Sequence, residues 1–201
     1  MRGDTGNGAS SAVGQLMRAW RQPCPGTQHG GARMLEEVFS ILASTPIKLH
    51  KEIDGLTARQ MKRRPAPEKW SIQEILAHLD DVEEHAMRAR VAAILNEDRP
   101  HLPVFDQEGR VEEMKYRRID PRHSLRAFAR KRRVNLKWLR RLRPAQLKRV
   151  GIHAAVGEIS AGEFIHEWAF HDLGHLKQIL EVKRYSLYPR MGAMRAFYKL
   201  S

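Results

Sequence analysis

Glu163-Phe-Ile-His-Glu-Trp-Ala-Phe-His-Asp-Leu-Gly-His-Leu-Lys-Gln-Ile179 sets two histidines in the middle of an apolar helical stripe. At about 100° per residue, Phe164, His171, His175 and Val182 fall within one narrow arc, with Trp168 and Ile179 beside it. Both imidazoles therefore face inward. Side chains four apart lie one above the other on a helix, so the pair can converge on one ion, as in H-x-x-x-H metal sites. The same spacing also suits two neutral core histidines bonded to their neighbours; a third ligand from elsewhere would separate the two readings. Asp172 is expected to point away from the stripe. Ser160 and Glu163 have the spacing of a capping box, so the helix is expected to run from there to about Val182.

Further helices follow from the same kind of signal. Trp70-Ser-Ile-Gln-Glu74 pairs a second capping box, Ser71 with Glu74, with Trp70 placed as a hydrophobic staple. Ile72, Ile75, Leu76, Leu79, Val82 and Ala86 continue a stripe to about Leu95, with His78 and His85 along one edge. An imidazole there can point into a bundle or rest at the boundary with one nitrogen in water. A third helix, about Pro121 to Leu142, carries Leu125, Phe128, Ala129, Leu136 and Leu139 on one face. Arg132 lies inside that face, as a brace to an inward carboxylate such as Glu74, Asp81 or Glu84, or as a receptor for an anionic ligand. The first helix, Leu35 to about Ile53, is expected to restart or kink at Thr45-Pro46, with Thr45 as N-cap. Residues 56–67 read as a basic connector with one helical turn. Residues 97–120 read as a polar link long enough for a crossover between parallel helices. Strand-type alternation is nearly absent, so the fold expected is all-α, a four-helix bundle with a long crossover connection.

Composition narrows the chemistry. The 201 residues, 42% hydrophobic, suit one domain, and no apolar run approaches a membrane span. The first residues show no apolar stretch followed by a small-residue cleavage site, so secretion is not expected, and the single cysteine, Cys24, permits no intrachain disulfide and no thiolate zinc cluster. A cytoplasmic location is expected, and any metal must rest on imidazole, carboxylate and water. Residues 1–33 hold seven of the fourteen glycines and no sustained period, which reads as a flexible extension or as an upstream start before Met34. Residues 185–201 read as a tail or short helix. Between Lys115 and Arg149 stand fifteen Lys/Arg against Asp120 alone, while the rest of the chain has 21 basic and 22 acidic residues. This face is expected to be solvated, or to dock an acidic partner. Few aromatics interleave it and no helix-turn-helix or zinc-finger spacing appears, so specific nucleic-acid reading is not expected.

The phrases Arg64-Pro-Ala-Pro-Glu-Lys-Trp-Ser-Ile-Gln-Glu-Ile-Leu-Ala-His78-Leu, Gly151-Ile-His-Ala-Ala-Val-Gly-Glu-Ile-Ser160 and His171-Asp-Leu-Gly-His-Leu-Lys-Gln-Ile179 resemble the DinB-like superfamily, DinB/YfiT-like in their order, over residues 34–184. The resemblance implies a four-helix bundle holding a divalent metal through one histidine of the second helix and the H-x-x-x-H pair of the fourth, here His78, His171 and His175. It also implies a homodimer. Some members transfer groups to or from small thiols such as bacillithiol, mycothiol or glutathione, while many have no known activity.

Three imidazoles on zinc or nickel leave an open position, as in catalytic sites. No protein thiol lies in the bundle, so a nucleophilic sulfur would arrive as a cosubstrate. Gln178 and Glu167 flank the stripe and could orient an imidazole or touch substrate, with an exposed helix boundary as the alternative. Arg132 could recognise a carboxylate of that substrate, and His85 could join the outer layer of the site. His153 reads as a loop-packing residue. Two functions stand: a metal-dependent enzyme on a small molecule, with thiol transfer as its reaction, or a non-enzymatic stress-related protein docking through its basic third helix. Metal-dependent hydrolysis is a third, for which no acid–base partner stands out.

Overall fold

The computed structural model describes residues 30–200, with side chains from Leu35 onward, and residues 35–201 form one compact unit. The expectations for residues 1–29, Cys24 among them, fall outside the described residues. Four long helical segments build the fold. These are α1 (Gly30–Ile53); α3 (Ile72–Val82), which continues through a π-helical turn (Glu83–Arg88) into α4 (Ala89–Asn96); α6 (Pro121–Leu139); and α8 (Ala161–Leu187). Shorter pieces are α2 (Ala58–Lys62), α5 (Gln107–Glu113) and α7 (Pro144–Leu147).

The starts obey the capping chemistry. Ser71 and Ser160 each accept from the backbone N–H three residues on, while Glu74 and Glu163 return the bond to the cap. Asp120 caps α6 before Pro121, a residue suited to the first turn. α1 is a correction: it passes Pro46 without a break, and Thr45 is no N-cap. Its buried hydroxyl instead donates to Ile41 O at 2.9 Å, inside the helix. α8 likewise runs past Val182 to Leu187 before a 3-10 segment, Tyr188–Phe197, which kinks at Gly192.

Two apolar clusters stack along the bundle. One joins Phe39, Leu42, Met87, Val91, Leu136, Phe164 and Trp168; the other joins Leu49, Ile53, Ile75, Leu79, Phe128, Leu176 and Ile179. α1 and α8 run from the first cluster to the second, and α3 and α6 from the second to the first. The consecutive helices α3–α4 and α6 are thus parallel, as the long link between them allows.

That link is more than a polar tether. It holds β1 (His101–Leu102), α5 and a 3-10 turn with Tyr116 fully buried. β1 pairs in parallel with β2 (Val150–His153), which pairs antiparallel with β3 (Gly157–Ser160). Four-residue strands are too short for alternation to stand out in a sequence. At Gly151 a Cβ would lie 3.0 Å from Ile94 Cγ1, 3.1 Å from Leu102 Cδ1 and 3.2 Å from Pro100 O, so any side chain there would press these neighbours back.

Candidate metal centre

α3 and α8 antiparallel in the bundle bring three imidazoles together. His78 Nε2 lies 3.3 Å from His171 Nε2, which lies 3.0 Å from His175 Nε2. His78 and His175 are buried and His171 half-buried, and one nitrogen of each lies within 4.8 Å of the other two. Burial pushes the His78 imidazole down to about 3 and the His171 imidazole to about 2, with the neighbouring His175 adding to both. Burial lowers His175 as well. All three are therefore neutral at pH 7, the state that can ligate.

Neutral imidazoles in this arrangement cannot satisfy one another. A proton on His171 Nε2 could serve one neighbour only, leaving the remaining lone pairs face to face. Meanwhile Nδ1 of His78 and of His171 is buried with no hydrogen-bond partner. A tetrahedral ion bound at about 2.0–2.1 Å sets its nitrogens roughly 3.3 Å apart, close to the spacings here. The donor set thus fits a divalent cation such as zinc or nickel.

Around this centre, Gln178 Oε1 lies 2.8 Å from His175 Nδ1. An amide oxygen only accepts, so Nδ1 carries the proton and Nε2 keeps its lone pair for the centre. Trp70 meets His78 edge-on at 5.0 Å and stacks on His175 at 6.4 Å, and Phe105 and Tyr116 each lie 6.3 Å from His78. Trp70 was legible only as a staple, and Phe105 and Tyr116 sit in the link that reads as polar. No local pattern aims these rings at a histidine 38 or fewer residues away. A cleft of about 530 Å³, lined by Lys69, Trp70, Gln107, Lys177, Gln178 and Tyr185, shares Trp70 and Gln178 with the centre.

The other expected residues are placed elsewhere. Arg132, 1% exposed, is a brace, though not to Glu74, Asp81 or Glu84. It donates to Glu83 at 2.9 and 2.8 Å, to Asp172 through both terminal nitrogens and to Leu42 O at 3.0 Å. Every guanidinium proton is used, which leaves none for an anionic ligand. Asp172 does turn from the histidines, and buries itself against Arg132 in doing so. Glu167 is exposed one turn before His171. His85 is half-exposed and bound to Asp81 at 2.8 Å. It reaches the centre only indirectly, since Asp81 accepts from Tyr116 at 2.7 Å. His153 accepts from Ala155 N at 3.2 Å within its own loop.

The DinB superfamily matches the chain over residues 41–179, a span that includes all three histidines. An uncharacterized Bacillus subtilis protein, YuaE, is 24% identical over 159 residues, covering 72% of this chain and 96% of the relative. The solved structure of YfiT from Bacillus subtilis superposes with a TM-score of 0.71 at 21% identity, covering 81% of this chain and 91% of that one. YfiT is described as a probable metal-dependent hydrolase with an unusual four-helix bundle topology.

Proposed function

The chain belongs to the DinB superfamily, and from that membership and its three convergent imidazoles we propose that it is a divalent-metal-dependent enzyme acting on a small molecule, with transfer to or from a low-molecular-weight thiol as its reaction. The observation that carries the proposal is the cluster of Nε2 atoms of His78, His171 and His175 at 3.3 and 3.0 Å. A zinc or nickel ion held there would lower the pKa of a bound thiol or water. The protein's own residues do the rest. Gln178 fixes the His175 tautomer, and Trp70, Phe105 and Tyr116 keep bulk water from His78. The cleft beside Trp70 and Gln178 offers room for a small substrate.

Thiol transfer is preferred to hydrolysis because the buried carboxylates near the centre are already committed. Asp172 is bound to Arg132, and Asp81 to Arg110, Tyr116 and His85. Neither can act as a base toward water without breaking those bonds, whereas a thiol whose pKa is lowered needs none. The second reading, hydrolysis, is favoured by the description of YfiT and would turn to Glu167, exposed one turn before His171.

Elemental mass spectrometry on the untagged protein, beside His78→Ala and His171→Ala, tests the metal. Near-stoichiometric zinc or nickel, lost in both variants, is expected; no binding after reconstitution at pH 7 would sink the proposal. The loaded protein should then consume a thiol in the presence of an electrophilic acceptor. Ester or amide cleavage without thiol consumption, abolished by Glu167→Gln, would favour hydrolysis instead.

A further inference from the structure

The cations of this chain are handled in two different ways. On the elements around α3 and α8 they are paired: Arg64 and Arg117 with Glu74, Arg110 with Asp81, Lys183 with Glu52 and Arg184 with Glu181. On α6 they are not. Arg126, Arg130, Arg133, Lys137 and Arg140 are all exposed, and none is within ion-pair distance of a carboxylate among the described residues. Their spacings of four, three, four and three put them within an arc of about 80° on one face, over roughly 21 Å of helix. Like charges so placed repel one another along the helix, a cost that a bound anion would relieve.

We propose that this face of α6 binds the phosphate backbone of duplex nucleic acid without reading its sequence. Four of the five cations are arginines, whose planar forks match phosphate oxygens. The row is straight and regular, as a repeating polyanion requires. A membrane surface is the poorer fit, because an interfacial helix must insert an apolar face, and that of α6, with Leu125, Phe128, Leu136 and Leu139, is already buried in the bundle. A protein partner would be expected to meet exposed aromatic anchors, whereas Phe128 is buried and Trp138 half-buried beneath Arg88. The lack of exposed aromatics on this row also leaves nothing to stack on bases, which confines recognition to the backbone.

Fluorescence anisotropy with the full chain and a labelled 20-base-pair duplex of mixed sequence tests the proposal. Five phosphate contacts predict a slope of log K against log salt of about −4.5, or about 500-fold weaker binding between 50 and 200 mM salt. The combined variant Arg126→Gln, Arg130→Gln, Arg133→Gln and Lys137→Gln keeps good helix formers; it should flatten the slope to about −1 and weaken binding at 50 mM at least 100-fold. Lys48→Gln, Lys51→Gln, Arg59→Gln and Lys62→Gln, which remove the same charge from other exposed positions, should change it less than 5-fold. Absence of wild-type binding at 50 mM overturns the proposal, and so does equal weakening in the two variants. Capture by phosphatidylserine vesicles in place of the duplex would assign the face to membranes instead.

Discussion

One amide oxygen, Oε1 of Gln178, decides which nitrogen of His175 faces the other two histidines. Gln178→Ala should therefore weaken zinc binding by about 10–100-fold, while Gln178→Glu, which still accepts from Nδ1, should retain it; competition with a chromophoric chelator measures both. Glu74 shows the same economy in a structural role. Burial pushes its carboxyl up, but the bonds from Arg64, Ser71 and Arg117 outweigh this and hold it at about 2. The folded pKa lies below the unfolded one, so the stabilisation is complete above about pH 4.5 and drains away as pH falls toward 2. A shift of this size corresponds to about 3 kcal/mol. Urea unfolding of Glu74→Gln should show a loss of that order at pH 7, shrinking toward zero near pH 2; a loss independent of pH would contradict the assignment.

Of the four long helical segments, the two that carry the histidines are the two that begin with complete capping boxes, at Ser71 and Ser160. Ser71→Ala and Ser160→Ala should each cost about 1 kcal/mol, read as a lowered midpoint in urea, with the sum expected for the double variant because the sites share no partner. A different device seats the crossover. The approach of β2 to Ile94 and Leu102 depends on the missing side chain at Gly151, so Gly151→Ala should destabilise by about 1–3 kcal/mol. Amide exchange should locate the loosening in β1 and β2 rather than in α8.

Across the whole molecule, one buried polar layer divides the two apolar clusters. Each of its charged members sits four residues from apolar ones on either side: Glu83 between Leu79 and Met87, Arg132 between Phe128 and Leu136, Asp172 between Trp168 and Leu176. Asn135 and Trp168 complete the bonds to Glu83 at 2.9 and 3.1 Å. Arg132→Met would strand two carboxylates in the core and should cost about 3–5 kcal/mol in urea unfolding. Adding Glu83→Leu and Asp172→Leu should restore most of that loss, since a buried ionic cluster and a well-packed apolar one are often near equal in stability. Failure of the triple variant to recover would mean that the layer holds the four helices in register.

Local order was legible where neighbours along the chain decide it. The capping boxes, the apolar stripes and the pairing of His171 with His175 are all set within a turn or two of helix, and they suffice for an all-α bundle. The family resemblance supplied His78, and the long link correctly implied a crossover. Only the tertiary structure decided the rest. Thr45-Pro46 has the local chemistry of a helix start, yet α1 continues through it, packed on both sides by Leu42 and Leu49 in the two clusters. Arg132 takes Glu83 and Asp172 rather than its expected partners because the rotation of each helix about its axis selects which carboxylate faces inward. Trp70, Phe105 and Tyr116 converge on His78 from separate segments, and the three short strands form only by pairing with one another. Such contacts depend on groups distant in sequence, and no local period carries the free energy that chooses among them.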